Sequence, residues 1–243
     1  DDMHGTYPTQ LGPSLRAFVE EVELAAGLTN EVFPSDELNS GGPNGGGSLS
    51  VEIEATGVRP NAPTNGYFPD GAVRHEVLHV RRLHVEQVPQ LVLADEAEWN
   101  PGLEHSLTHV DNALEHLAIV PVELQHHPER EAHWTHVMQN AWEVKVPGAP
   151  TELDRRIDAC LHWTFLRHVL PTSPVLDLAA AMLQAHNLRG EADAFAAHLQ
   201  ALLADKTEVA RFFFGWFIEL PKGLVALEYL NSISGRNQQP IPD

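Results

Sequence analysis

The fold expected for this chain depends on residues 70–85, which read DGAVRHEVLHVRRLHV. Asp70 is a good N-cap, because its carboxylate can accept hydrogen bonds from the free N–H groups of a first helical turn. The apolar residues that follow recur at the spacing of a buried helix, so the pattern predicts a helix over 71–85. His75 and His79 would then lie one turn apart on one face of that helix, with Glu76 beside them.

The five residues His75-Glu76-Val77-Leu78-His79 form an H-E-x-x-H motif. Two imidazoles fixed one turn apart on a helix can reach the same metal ion, and the spacing suits tetrahedral zinc. Neutral ligands leave the ion nearly its full charge, so a bound water becomes acidic enough to lose its proton near neutral pH. Glu76 can take that proton and deliver it to a leaving amine. We therefore predict a Zn²⁺ cofactor, His75 and His79 as ligands and Glu76 as the catalytic base.

Regular elements are also predicted on the N-terminal side of the motif. Residues 13–28 have the apolar spacing of an amphipathic helix, and residues 49–55 alternate between apolar and polar as in a half-buried strand. A glycine-rich run at 39–47 and a proline-rich run at 59–69 are predicted to be loops.

Residues 47–120 resemble the core of a zincin-type metallopeptidase in their order of strand, loop, motif helix and later helix. The resemblance implies an α+β domain with a small antiparallel sheet and active-site helices. In that group a strand bordering the cleft holds an extended peptide substrate, and residues 49–55 would be that strand. The implied activity is that of a zinc-dependent peptidase, a metalloprotease and therefore a hydrolase.

The families within this group differ in the residue that serves as the third metal ligand. The metzincin extension needs Gly and His where this chain has Arg82 and Val85, so that class is rejected. In the glutamate-liganded class the third ligand lies on a later helix, and the chain is similar to its compact members, which implies Glu115. His84 is rotated off the metal-binding face of the helix and is interpreted as structural.

His116 and His109 compete with Glu115 for the same role. His105, His109, Asn112 and His116 share one face of the predicted helix, from which Glu115 is offset by about 100°. A residue that is not the ligand is a candidate for orienting a ligand or stabilising an oxyanion, and Asp111 could orient an imidazole. His162 and the other histidines of the C-terminal half show no ligand spacing.

The C-terminal part of the chain is predicted to be helical. Helices are expected from about 103 to Val120, since Pro121 should end the helix, and over 128–142, 153–170, 173–188 and 191–203. A further helical stretch is expected over 207–230, with a break near Pro221. The Pro-Gly-Ala-Pro run at 147–150 is the predicted boundary between a metallopeptidase-like domain at 1–146 and an α-helical domain at 151–235. The aromatic residues of 212–217 are expected in the core, and 237–243 as a frayed tail.

Composition limits the possible partners. The net charge is −19 at pH 7, which repels phosphate backbones and anionic lipid heads, so nucleic acid and membranes are not expected partners. The single Cys160 allows no intrachain disulfide, and its apolar surroundings predict a small buried hydrophobe. A cytoplasmic protein acting on a peptide or protein substrate is the expectation, and nothing in the sequence fixes its oligomeric state.

Two other functions remain open at this point. The chain could be a non-catalytic helical interaction protein whose histidine cluster is structural or binds metal without turnover. It could also be an amidase or another hydrolase that uses the same zinc chemistry.

Overall fold

The structure of the chain, a computed structural model, describes residues 11–27, 29–30, 33–35, 50–54, 57–63, 70–95, 101–231 and 235–243. The chain divides into two compact units, residues 1–88 with 229–237 and residues 89–228 with 238–243. The boundary predicted at 147–150 lies inside the second unit, where it connects helices that belong to the same unit. The glycine-rich run predicted as a loop at 39–47 lies outside the described residues.

Two helices form the apolar core of the first unit, α1 (Pro13–Ala26) and α2 (Asp70–Val80). Their apolar side chains form one buried cluster, made of Leu11, Leu15, Val19, Val22, Ala72, Val73, Val77 and Val80. The helix predicted at 13–28 is confirmed, and it ends at Gly27, whose φ of +67° is the left-handed conformation that glycine adopts without strain. A Cβ on Gly12 would lie 3.2 Å from Oδ2 of Asp70, so glycine allows α1 to begin close to the start of α2.

A small sheet in the first unit consists of β1 (Thr29–Asn30), β2 (Phe33–Ser35), β3 (Ser50–Glu54) and β4 (Gly57–Pro63). β4 pairs antiparallel with β3 and parallel with β1 and β2, so the sheet is mixed rather than antiparallel as expected. The strand predicted at 49–55 is confirmed as β3. The loop predicted at 59–69 is wrong over 59–63, because the φ of proline is also compatible with an extended strand; residues 64–69 lie outside the described residues.

The helix that carries the H-E-x-x-H motif is confirmed over its whole predicted range. After Val80 the α-helix continues into one π-helical turn, Arg81–Val85, in which the Glu86 N–H donates to the Arg81 carbonyl at 2.9 Å. Gln87 then adopts a φ of 56° and ends the helical segment. Single π-helical turns within α-helices are frequent near functional sites.

The second unit is built mainly from helices. They are α3 (Pro101–His126), α4 (Glu131–Asn140), α5 (Glu152–Val169), α6 (Val175–Ala185), α7 (Arg189–Gln200) and α8 (Lys206–Trp216). A 3₁₀ turn (Pro128–Arg130) precedes α4, and a π-helical turn (Ala141–Lys145) followed by a short helical turn (Val146–Gly148) extends it. The aromatic segment predicted to be core is confirmed, since Phe213, Phe214 and Phe217 are buried while Phe212 and Trp216 are half-buried.

The prediction that Pro121 ends its helix is wrong, because α3 continues to His126. Val120 and Glu123, on either side of the proline, have no exposed surface. Glu123 accepts hydrogen bonds from Nε of Arg130 at 2.6 Å and from Nε1 of Trp134 at 3.1 Å. These tertiary contacts hold the chain helical through the proline and offset the backbone hydrogen bond that proline cannot make.

The C-terminal segment forms strands where a helix and a frayed tail were predicted. β6 (Val225–Asn231) pairs antiparallel with β5 (Gln90–Leu93), with Leu227 opposite Leu91, and β6 also pairs with β7 (Gly235–Pro240). Both leucines are buried. A partner strand so distant in sequence overrides the helical propensity of this segment, since strand formation depends on pairing and burial more than on intrinsic preference.

The described elements are mostly helices with two small sheets, which agrees with the expected α+β class. Across the described ranges, no helix combines the length and the apolar character that crossing a membrane requires.

Candidate metal centre

Two imidazoles converge on one face of α2. The Nε2 atoms of His75 and His79 are 3.2 Å apart, and the rings meet edge to face with their centroids separated by 4.9 Å. Two nitrogen ligands at the usual zinc–imidazole distance, with a tetrahedral angle between them, are about 3.3 Å apart. The predicted pair therefore has the spacing that two ligands of one ion require.

The opposite face of α2 fixes the orientation of this pair. Val73, Val77 and Val80 are buried in the apolar cluster with α1, and His75 lies about 200° around the helix from Val73. Arg74 adds a contact, because its guanidinium carbon lies 4.7 Å from the centroid of the Phe18 ring on α1. Packing on one side of the helix thus sets the rotation of the imidazoles on the other.

The two histidines and Glu76 differ in exposure. His75 is buried, with 7% of its surface exposed, whereas His79 and Glu76 are half-buried. A base that exchanges protons with a substrate must be reachable, and a ligand must be held in place. The exposure of Glu76 and the burial of His75 are compatible with those two roles.

Two carboxylates predicted to act at the metal surround a buried lysine in the second unit. Nζ of Lys206 lies 2.8 Å from Oδ1 of Asp111 and 2.7 Å from Oε1 of Glu115, and all three residues are buried. Burial alone would lower the pKa of Lys206, but the two carboxylates raise it above its usual value, so the lysine stays charged. Burial raises the pKa of Asp111, although Lys206 and a hydrogen bond from the Leu91 N–H oppose that shift. Asp111 thus links α3 to β5 and α8.

The role of Glu115 as the third metal ligand stays a prediction. Its Oε1 atom accepts a hydrogen bond from Nζ of Lys206 at 2.7 Å, which holds one carboxylate oxygen in place. The competing candidates lie on the same helix. Nε2 of His109 is 3.4 Å from Oδ1 of Asp158 on α5, and the His116 ring packs against Trp134 with a centroid distance of 5.0 Å.

A second group of potential ligands was missed by the sequence interpretation. His109, Asp158 and His162 each place a ligand atom within 4.8 Å of the other two. The interpretation of His162 as a residue without ligand spacing is therefore corrected, since Asp158 precedes it by one helical turn on α5. This Asp-x-x-x-His spacing was the available signal, and it has the same separation as His75 and His79. The chain thus has histidine-rich groups that could hold a metal ion.

Two other sequence interpretations concern single side chains. Cys160 is fully buried and burial raises the pKa of its thiol, so the prediction of a small buried hydrophobe is confirmed. His84 lies in the π-helical turn and its backbone carbonyl accepts from Nε2 of Gln87 at 2.7 Å. Burial lowers the pKa of His84, which favours the neutral ring.

No protein-family model matches this chain, and comparisons with curated proteins and with solved structures find no match.

Proposed function

We propose that the chain is a zinc-dependent hydrolase that cleaves peptide bonds, with His75 and His79 as metal ligands and Glu76 as general base. The observation that carries the proposal is the convergence of the two Nε2 atoms to 3.2 Å on a helix whose opposite face is buried. The carboxylate next to the first histidine supplies the proton acceptor that hydrolysis needs.

Each residue of the motif has a separate task in this proposal. Bound zinc supplies Lewis acidity, which lowers the pKa of water toward neutrality and stabilises negative charge on a carbonyl oxygen. His75 and His79 bind as neutral imidazoles through Nε2. Glu76 accepts a proton from the attacking water and delivers it to the departing nitrogen, so that the products are a carboxylic acid and an amine.

The remaining protein ligand is proposed to be Glu115, with His116 and His109 as the alternatives. A carboxylate ligand would lower the charge of the ion more than an imidazole would. Proton transfer would then depend more heavily on Glu76. Loss of one zinc equivalent together with loss of hydrolysis in the Glu115→Gln, His116→Ala or His109→Ala variant identifies which residue binds.

The net charge of the chain suggests which peptides would be preferred as substrates. A net charge of −19 attracts cationic substrates and repels acidic ones. We therefore expect neutral or basic peptides to be cleaved faster than acidic peptides of equal length, with a difference that shrinks as ionic strength rises.

The test compares metal content with hydrolysis of a fluorogenic peptide library. Glu76→Gln should retain zinc but lose about 10²- to 10⁴-fold in kcat, the usual contribution of a general base. His75→Ala and His79→Ala should each lose the activity together with the one zinc equivalent that the histidine pair holds. Glu86→Gln is the matched control, because Glu86 is an exposed carboxylate just beyond the same helical segment.

Two results would contradict the proposal. If Glu76→Gln cleaves peptides as fast as the unaltered protein, Glu76 is not the base. If zinc binds and depends on both histidines but no peptide or other amide in the library is cleaved, the chain binds metal without turnover, as the interaction-protein alternative predicts.

A further inference from the structure

We propose that the second unit holds a separate site for a divalent transition-metal ion, formed by His109 of α3 with Asp158 and His162 of α5. This site uses neither His75 nor His79, and it assigns His109 to Asp158 and His162 rather than to that pair, so it stands whether or not the pair is catalytic. Two imidazoles and one carboxylate are a ligand set that suits Zn²⁺, Co²⁺ and Fe²⁺.

The geometry of the three side chains is close to that of a ligand set. Nε2 of His109 and Oδ1 of Asp158 are 3.4 Å apart, and one ligand atom from each of the three residues lies within 4.8 Å of the others. Ligand atoms around a tetrahedral ion are about 3.3 Å apart. The His109–Asp158 separation already matches that spacing, and side-chain rotation would bring the third ligand atom closer.

The burial of His162 is a separate observation that points to a bound metal ion at this site. The residue is 93% buried, since 7% of its surface is exposed, and its Nε2 has no hydrogen-bond partner within the described part of the chain. Burying a polar atom without a partner costs about 1–3 kcal/mol, and a metal ion would satisfy that atom. Burial also lowers the pKa of His162 to about 4, so the ring is neutral at pH 7.

Open space adjoins all three ligands. A cavity of about 140 Å³ is lined by His109 and His162, and a second cavity of about 390 Å³ is lined by His109 and Asp158 together with apolar side chains that include Ile157 and Phe213. Water or a small ligand can therefore occupy the coordination positions that the protein leaves open.

Charge at the site favours a cation overall. Asp158 brings a carboxylate next to the two imidazoles, and Asp154 lines the larger cavity. Lys145 lines both cavities and opposes a cation, but the residue is exposed, so water and salt screen its charge.

The test titrates Co²⁺ into the metal-depleted full chain that carries His75→Ala and His79→Ala. We expect one equivalent to bind, with a visible ligand-field band from the cobalt. Adding His109→Ala or Asp158→Asn should each weaken binding at least about tenfold. His168→Ala is the matched control, because it removes an exposed imidazole from the same helix and should leave the titration unchanged.

His109→Ala and Asp158→Asn are chosen because their side chains are partly exposed, 38% and 19%, so the fold should tolerate both changes. Circular dichroism checks that each variant is folded. The proposal is overturned if the chain that carries His75→Ala and His79→Ala binds no Co²⁺. It is also overturned if adding His109→Ala or Asp158→Asn to that chain leaves a folded protein that binds Co²⁺ equally tightly. The contact between His109 and Asp158 would then be an ordinary ion pair.

Discussion

The two histidine groups of this chain are assembled in different ways. His75 and His79 belong to one helix, so the helical repeat places them on the same face, where their Nε2 atoms lie 3.2 Å apart. The second group takes His109 from α3 and Asp158 with His162 from α5, and the sequence separation of His109 and Asp158 is 49 residues. A local pair can be predicted from sequence, whereas the second group exists only because two helices pack together. The local pair should therefore tolerate packing defects that disrupt the second group.

The largest expected effect comes from Lys206→Met. The change leaves Asp111 and Glu115 as buried carboxylates without their cation, which should lower the free energy of unfolding by about 3–5 kcal/mol. Urea denaturation measures the loss. Lys222→Met is the control, because its partners are the C-terminal Pro242 carbonyl and Asp243 in an exposed contact.

The same variant tests the comparison between the groups. Because Lys206 connects α8 to α3, the loss of this contact should weaken Co²⁺ binding by His109, Asp158 and His162 more than metal binding by His75 and His79. Equal weakening of both groups would show that the local pair also depends on the packing of the second unit.

The next effect is a pH dependence of the metal-free protein. Burial holds the pKa of His162 at about 4, below the value of about 6.5 for an unfolded chain. The folded state therefore resists protonation, and its stability is retained above pH 6.5 and lost as the pH falls from 6.5 through 4. The loss should be roughly 3 kcal/mol and is measured by urea denaturation across that range.

His162→Gln provides the comparison for this pH dependence. The variant has no imidazole at this position, so its stability should change less between pH 6.5 and pH 4 than that of the unaltered protein. An identical decline in both would assign the effect to other groups. Saturating Zn²⁺ at neutral pH should raise stability in the unaltered protein more than in the variant.

The smallest effect is expected from Val77→Ala, which removes apolar volume from the contact between α1 and α2. The free energy of unfolding should fall by about 2 kcal/mol, while Leu24→Ala, at a position 86% exposed on α1, should change little. The helix still sets the spacing of His75 and His79, so zinc affinity should stay within a few-fold. A larger loss of affinity would show that packing, and not the helical repeat, positions the pair.

Features set by local sequence were predicted well. The helix at 13–28, the strand at 49–55 and the motif helix over 71–85 all formed, because hydrophobic periodicity acts within one element. The burial of Cys160 and of the aromatic segment followed from apolar composition in the same way.

Features set by distant contacts were not predictable. The strand Val225–Asn231 has a helix-compatible sequence and became extended through pairing with Gln90–Leu93. Pro121 did not end α3, because the contacts of buried Glu123 with Arg130 and Trp134 hold the helix on its far side. The charged cluster around Lys206 was missed for the same reason, since its members come from α3 and α8.

The most direct test of the central claim is histidine ¹⁵N NMR of the full chain during a Zn²⁺ titration, in an Asp158→Asn variant that removes a ligand of the proposed second site. Coordination through Nε2 predicts that the rings of His75 and His79 both become fixed as the Nδ1–H tautomer, with shifted Nε2 resonances, at one equivalent of zinc. If those two rings keep their metal-free resonances at saturating zinc, the pair does not bind the ion and the proposed hydrolase loses its metal centre.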